Sequence, residues 1–171
     1  MDNHLHRSKI ESLITNEWSK SSSDVETTRK MHEFYVACSR RIVRLLPHEE
    51  SRRGVESAED YLAGIATWEE LSDQNWLAEG AAFTFDFNSE PERISKWVAE
   101  IESIPKEEMR KLLNGHYSET CFDAANVLQR AAYFAEGAML FPSFSNKTSP
   151  RALDAAFLSI DVFEQVFRFT R

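Results

Sequence analysis

Five arginines stand in one short segment of this chain, ACSRRIVRLLPHEESRRG, which runs from Ala37 to Gly54. Guanidinium groups bind phosphates and carboxylates through paired hydrogen bonds, so clustered arginines can form a site for an anion. They can equally bind acidic side chains of their own fold. The candidate binding residues are therefore Arg40, Arg41, Arg44, Arg52 and Arg53.

The five histidines do not form a recognisable metal-binding motif. Helical metal sites commonly use His-x-x-x-His or Glu-x-x-His pairs, and neither pattern occurs. His116 and Glu119 lie at a predicted helix entrance, where a glutamate is ordinary capping. His4 and His6 fall in a terminal segment expected to fray, and His32 is expected on the solvated surface. We expect no metal site and no cofactor.

Motifs for catalysis are also missing from the sequence. No Gly-x-Ser-x-Gly elbow, Walker loop or dinucleotide fingerprint occurs. Cys38 and Cys121 both fall in apolar, helical patterns, which predicts two reduced cysteines in the core. The apolar surroundings of Cys38 turn its thiol away from the arginines that could lower its pKa. Adjacent carboxylates such as Glu69 and Glu70 point apart on a helix, so they do not form an acid/base pair. We predict no catalytic residue.

Composition narrows the class of protein. With 171 residues, 42% of them hydrophobic, the chain can bury one good core, so we expect one domain over residues 1–171. The formal net charge of -8 disfavours nucleic acid and anionic membranes as partners. No apolar run approaches the ~20 residues that span a bilayer, and the polar start MDNHLHRSKI does not resemble a secretion signal. We expect a soluble, cytoplasmic protein.

The pattern of apolar residues predicts an all-α fold, a single bundle-like domain of about seven or eight helices. Capping boxes at Ser23–Glu26, Thr67–Glu70 and Ser89–Glu92 mark helix starts, as does Ser149 before Pro150. Gly64 and Gly115 suit left-handed residues just after helix ends. The predicted helices are 5–18, 24–46, 49–63, 68–87, 90–104, 106–113, 119–140 and 150–169. Residues 1–22 are expected to form a loosely attached helix and a Ser-rich linker.

The predicted second helix carries apolar residues on one side and basic residues on the other. A four-three spacing places an apolar seam on one side, formed by Met31, Tyr35, Cys38, Ile42 and Leu45. Arg40, Arg41 and Arg44 fall on the arc turned away from it. After Pro47 a short connection predicts an antiparallel hairpin, whose second helix carries Glu56, Glu59 and Asp60. We expect the arginines to form salt bridges across this hairpin; an external anionic ligand or an acidic partner surface is the alternative.

Two segments of the chain resemble each other, WLAEGAAFTFDF from Trp76 and YFAEGAMLFPSF from Tyr133. A glycine inside a helix costs roughly 1 kcal/mol relative to alanine, so Gly80 and Gly137 suggest close packing against another backbone. One interpretation is that these two helices cross at their Ala/Gly patches. The other is a chance similarity between two alanine-rich helices.

The segment FYVACSRRIVRLLPHEESRRGVESAEDYLAGIATWEEL, residues 34–71, resembles one that recurs in uncharacterised bacterial proteins, notably of planctomycetes and some myxobacteria. The pattern is matched at Ala37, Cys38, Arg40, Arg41, Ile42, Leu46, Ser51, Arg52, Arg53, Val55, Glu56, Ala58, Glu59, Tyr61 and Gly64. Ser39 stands where a second cysteine is often found, which argues against a metal-binding cysteine pair. The resemblance implies a helical fold in a bacterial protein, and it implies no activity.

The C-terminal stretch LDAAFLSIDVFEQVFRF is apolar on two sides of its predicted helix. One side carries Leu153, Phe157, Ile160, Phe163 and Phe167, and the other carries Leu158, Val162 and Phe169. Such a helix is either central in its own domain or covered by another chain, in which case a homodimer is the expected partner. In the preceding loop, Phe141, Pro142 and Phe144 are expected to plug a groove between helices rather than to anchor a partner.

These patterns favour a non-enzymatic binding or interaction module in a bacterial cell, for example a toxin-neutralising or regulatory protein. Two alternatives stay open. One is an enzyme of unrecognised class with a site between helices. The other is binding of phosphate or nucleic acid through Arg40, Arg41 and Arg44.

Overall fold

The computed structural model describes residues 3–21, 24–141 and 153–168. These residues form eight α-helices and no strand, in the single all-α domain that the sequence predicts. The helices are α1 (Asn3–Ser21), α2 (Val25–Arg41), α3 (Glu49–Leu62), α4 (Trp68–Phe87), α5 (Pro91–Glu102), α6 (Lys106–Leu112), α7 (Ala124–Met139) and α8 (Ile160–Arg168). Helix α2 ends at Arg41, five residues earlier than predicted, and a 3-10 turn, Val43–Leu45, follows it, so Arg44 lies in that turn.

Local capping signals explain where α4 begins and where α3 and α6 end. The Thr67 hydroxyl accepts the Glu70 backbone N–H, and the Glu70 carboxylate accepts the Thr67 backbone N–H, which confirms the predicted capping box. Gly64 and Gly115 have φ values of +75° and +84°, as predicted for residues just after helix ends. The bounds of α4 match the sequence prediction because the Thr67–Glu70 box sets its start and Asn88, with a left-handed φ of +46°, sets its end.

Other predicted helix starts need correction. No capping box forms at Ser89 and Glu92, because α5 begins at Pro91 and its N-cap is therefore Glu90, which makes no side-chain capping hydrogen bond. Asp24 caps α2 by accepting the backbone N–H of residue 26 at 3.1 Å. The caps predicted at Ser23 and at Ser149–Pro150 lie outside the described residues.

Helix α7 lies at the centre of the domain and packs against α2, α3, α4 and α5. Alanine predominates on its buried face, and the small side chain lets neighbouring helices approach closely. The helix begins five residues later than predicted, at Ala124, with Asp123 as its N-cap. Glu119, the predicted first residue, instead pairs with Lys106 and Arg110 of α6.

Helix α1 belongs to the core rather than hanging loosely from it. Ile10 and Ile14 are buried in the main hydrophobic cluster, and His6, one helical turn before Ile10, is also buried. Trp18 packs against Phe141, which also contacts Tyr35 of α2. Phe141 therefore plugs the groove between α1 and α2, as predicted, while Pro142 and Phe144 lie outside the described residues.

The C-terminal helix is shorter than predicted, and this explains its two apolar sides. Phe157 and Leu158 are both buried, but they lie in a turn before α8 and not on opposite helix faces. Within α8, Val162 and Phe163 are buried, and the helix packs against α2 of the same chain. The central helix of the domain is α7, so the C-terminal helix is not the central element that its pattern suggested.

Helices α4 and α7, which carry the two similar segments, pack against each other, but their glycines do not form the contact. Gly80 is exposed, and a Cβ added there would meet nothing within 4 Å. Gly137 faces Leu153 instead of α4. The close approach occurs at Gly54 of α3, where a Cβ would stand 2.5 Å from the Met139 sulfur.

Candidate functional site

The predicted salt bridge across the α2–α3 hairpin is present. Nε of Arg40 donates to a carboxylate oxygen of Glu59 at 2.8 Å, and a second guanidinium nitrogen binds the other oxygen. Paired hydrogen bonds of this kind hold the planar groups in one orientation. The Glu59 hydrogen bond also raises the pKa of Arg40. Arg40 thus has the partner expected from its own hairpin.

The next two arginines extend away from the hairpin, towards α6. Arg41 donates to the Asn114 side-chain oxygen at 3.1 Å and to the Lys111 carbonyl at 3.4 Å. Arg44 forms an ion pair with Glu108. These three arginines therefore connect α2 and the turn after it to the α6 region as well as to α3.

The arginines of α3 also bind groups of their own chain. Arg52 donates to the Leu46 carbonyl at 2.9 Å, and Arg53 pairs with Glu49 one turn earlier. Arg44 and Arg52 line one surface groove of about 470 Å³, together with Trp97 and Glu100 among others. Each of these two arginines already has an internal partner.

Three parts of the core hold histidines that the sequence did not predict to be buried. Nδ1 of His6 lies 3.0 Å from Nε2 of His116, so one ring donates to the other. Burial lowers the pKa of both rings, which favours the neutral pair. His48 is buried against Phe85 and Trp97, with its Nε2 3.0 Å from the Thr84 hydroxyl.

His32 needs the clearest correction, because it is 1% exposed rather than solvated. Its Nε2 lies 2.8 Å from the Met139 carbonyl oxygen, so this nitrogen carries the proton and donates. Burial lowers the pKa of His32 to about 4. Among the described residues, no three His, Cys, Asp or Glu side chains are arranged to hold a metal ion.

The two cysteines differ in their surroundings. Cys38 is buried in the apolar seam of α2, and burial raises the pKa of its thiol to about 12. Cys121 is exposed, because it lies in the turn before α7 and not in a helix, so its predicted core position is wrong. Both cysteines are free thiols.

Among the described residues, large exposed apolar side chains are concentrated on α4. Five large apolar side chains of this helix are exposed: Trp68, Trp76, Leu77, Phe83 and Phe87. Trp76, Phe83 and Phe87 are seven and four residues apart, so they share one helix face, which we call the aromatic stripe. Trp76 is 74% exposed and Phe87 is 77% exposed. The opposite face of α4 packs into the domain through Leu71, Ala78 and Ala82.

Acidic residues surround the aromatic stripe. Helix α4 carries Glu69, Glu70, Asp73, Glu79 and Asp86 and no lysine or arginine. Asp86 accepts hydrogen bonds from Tyr133 and from Gln129 of α7, while Tyr133 packs against Phe83. Burial, followed by the hydrogen bond to Asp86, raises the pKa of Tyr133 to about 12.

The sequence analysis missed the aromatic stripe because it considered this segment only as a possible Ala/Gly crossing or a chance similarity, and did not consider which face of the helix stays exposed. The signal was available, since α4 is apolar on two opposite faces and only one can face the core of a small domain. No protein-family model, curated protein or solved structure matches this chain. In the described parts of the chain, no helix combines the length and apolar character that crossing a membrane requires.

Proposed function

We propose that the protein is a non-enzymatic interaction module of the bacterial cytoplasm that binds another protein through the aromatic stripe of α4. The observation that carries this proposal is the exposure of Trp76 and Phe87 on a helix whose other face is buried. Contiguous exposed apolar surface marks interaction sites, and tryptophan is enriched among the residues that dominate binding energy.

The energetics favour a binding role for these side chains. Fully burying a phenylalanine side chain is worth roughly 1.5–3 kcal/mol, and the folded chain does not gain this free energy at the exposed aromatic residues of α4. Trp76 and Phe87 add nothing comparable to folding because most of their surface stays in water. A partner that covers both would gain that burial.

The arginines singled out in the sequence argue against the phosphate and nucleic-acid alternative. Arg40, Arg41, Arg44, Arg52 and Arg53 each bind a carboxylate or carbonyl of this chain. An external phosphate would have to displace these partners. A toxin-neutralising or regulatory protein needs a recognition surface and no reacting groups, and the aromatic stripe meets that need.

The experiment is a pull-down from a lysate of the source organism, with bound proteins identified by mass spectrometry. The test variant is Trp76→Ala with Phe87→Ala. A matched control, Leu5→Ala with Val25→Ala, removes two other exposed apolar side chains from α1 and α2. Circular dichroism first establishes that both variants fold.

We expect one partner to be retained by the unmodified protein and by the control variant and to be lost by the stripe variant. Retention by all three proteins would refute the assignment to α4. A third variant, with alanine at Arg40, Arg41 and Arg44, tests the alternative site: a partner lost only by this variant would move the interface to the arginines.

A further inference from the structure

We infer that the partner segment seated on the aromatic stripe is a basic amphipathic helix of another protein, an inference that rests on the proposed function. From Trp76 to Phe87 the stripe covers about three helical turns, or ~16 Å. A partner helix of three to four turns, with apolar residues at helical spacing, would cover it.

Acidic residues on either side of the aromatic stripe indicate that the partner helix carries basic residues beside its apolar seam. At about 100° per residue, Asp73 and Glu79 lie ~60° to either side of Trp76, and Glu69 continues the line of the stripe. None of these three carboxylates has an ion-pair partner in the described structure, whereas Arg93, on the next helix, is bound to Glu90. Lysines or arginines on both flanks of an apolar seam would complement them.

The same charges disfavour a second copy of this chain as the occupant. Soluble homodimers are usually two-fold symmetric, so the same patch faces itself. A symmetric α4–α4 contact would bring two sets of acidic residues together with no lysine or arginine on either helix. The whole chain adds to this repulsion with its net charge of -8.

A glutamate of α7, Glu136, lies close to Glu79 of α4. Glu136 is half-buried, and burial followed by the nearby Glu79 raises its pKa. The hydrogen bond from Asn75 to Glu136 opposes this shift without supplying a positive charge. A cationic side chain from a partner would relieve the repulsion between Glu79 and Glu136.

The test uses three designed, fluorescein-labelled peptides of about five helical turns (~18 residues). The basic peptide has a leucine seam flanked by lysines. The acidic peptide has the same seam with glutamates replacing the lysines, and the scrambled peptide has the basic composition without a seam. Binding is measured by fluorescence anisotropy, and sedimentation of the protein alone reports self-association.

We expect the basic peptide to bind at least tenfold more tightly than either other peptide. Trp76→Ala with Phe87→Ala should weaken this binding at least tenfold. Asp73→Asn with Glu79→Gln should weaken binding of the basic peptide about three- to tenfold, and a higher salt concentration should also weaken it. Leu5→Ala with Val25→Ala should leave the dissociation constant unchanged within about twofold.

Four results would overturn the inference. Equal binding of the acidic and basic peptides, lost in the stripe variant, would leave α4 as the interface but remove the basic partner. If the stripe variant binds the basic peptide as tightly as the unmodified protein does, the binding is general electrostatic attraction and not recognition by the aromatic stripe. No binding of the basic peptide up to about 200 µM would also refute it, while the pull-down still tests the proposed function. A dimer abolished by the stripe variant would make a second copy the occupant.

Discussion

Protonation of His32 should weaken the fold as the solution is acidified. The imidazole is buried between α2 and the end of α7, where its Nε2 donates to the Met139 carbonyl. Burial lowers its pKa to about 4 from 6.5, and the hydrogen bond to Met139 offsets only part of that effect. A charged imidazolium is therefore poorly accommodated at this position.

The sign and size of the effect follow from the two pKa values. As the pH falls below about 6.5, the unfolded chain binds a proton at residue 32 before the folded protein does. The stabilising contribution is complete above pH 6.5 and is lost progressively down to the folded pKa. Because each pH unit between 6.5 and about 4 corresponds to 1.36 kcal/mol, the contribution amounts to about 3 kcal/mol.

The assay is urea unfolding of the unmodified protein and of His32→Gln, each at pH 7 and at pH 4. Glutamine keeps an N–H donor for the Met139 carbonyl and does not titrate. We expect the free energy of unfolding of the unmodified protein to fall by about 3 kcal/mol more than that of the variant. His6, His48 and His116 titrate in both proteins, so their contributions cancel.

An equal loss of stability in the two proteins would refute the reasoning. It would mean that the pKa of His32 is the same in the folded and unfolded states, which a buried imidazole does not allow. A larger loss in the variant would require that the charged ring be stabilised in the fold.

Three further predictions concern packing, thiol access and ion pairs. Gly54→Ala should lower the free energy of unfolding by about 1 kcal/mol, because the 2.5 Å approach to the buried Met139 sulfur outweighs the gain in helix propensity. Gly80→Ala should raise it by about 1 kcal/mol in the same urea assay, since that site is open; equal effects would contradict this packing. A thiol reagent should label only Cys121 in the native protein, as mass spectrometry would show, and prompt labelling of Cys38 would contradict its burial. Replacing Arg40, Arg41 and Arg44 together by alanine should lower the melting temperature by about 2–6 °C, because their internal ion pairs and hydrogen bonds are lost. An unchanged melting temperature would contradict this.

The aromatic stripe shows how a correct local prediction can leave the functional question open. The bounds of α4 followed from Thr67, Glu70 and the turn at Asn88, which act on the few residues beside them. The two apolar faces of α4 were equally visible in the sequence. Which face α3 and α7 cover was decided by the packing of the whole domain, so the exposure of Trp76 could not be read from its neighbours.

The arginine segment was more predictable because its partner is close in sequence. The four-three spacing and the short connection predicted ion pairs between the arginines of the second helix and the carboxylates of the third, and the structure has one of them, Arg40 with Glu59. Arg44 also pairs with a carboxylate, but Glu108 is on α6, far along the chain, and no local pattern indicates it. Ion pairs between adjacent helices of a hairpin follow from helical geometry, whereas those between distant helices depend on the tertiary arrangement.

By itself, the sequence determined the helical class, the apolar seam of α2 and the turns at Gly64 and Gly115, because hydrophobic period and capping are local properties. Only the tertiary structure decided that His32 is buried, that Cys121 is exposed and that Phe157 lies in a turn. Burial depends on which distant element covers a residue. That choice is made by the free energy of packing the whole domain, in which each local preference is a small contribution.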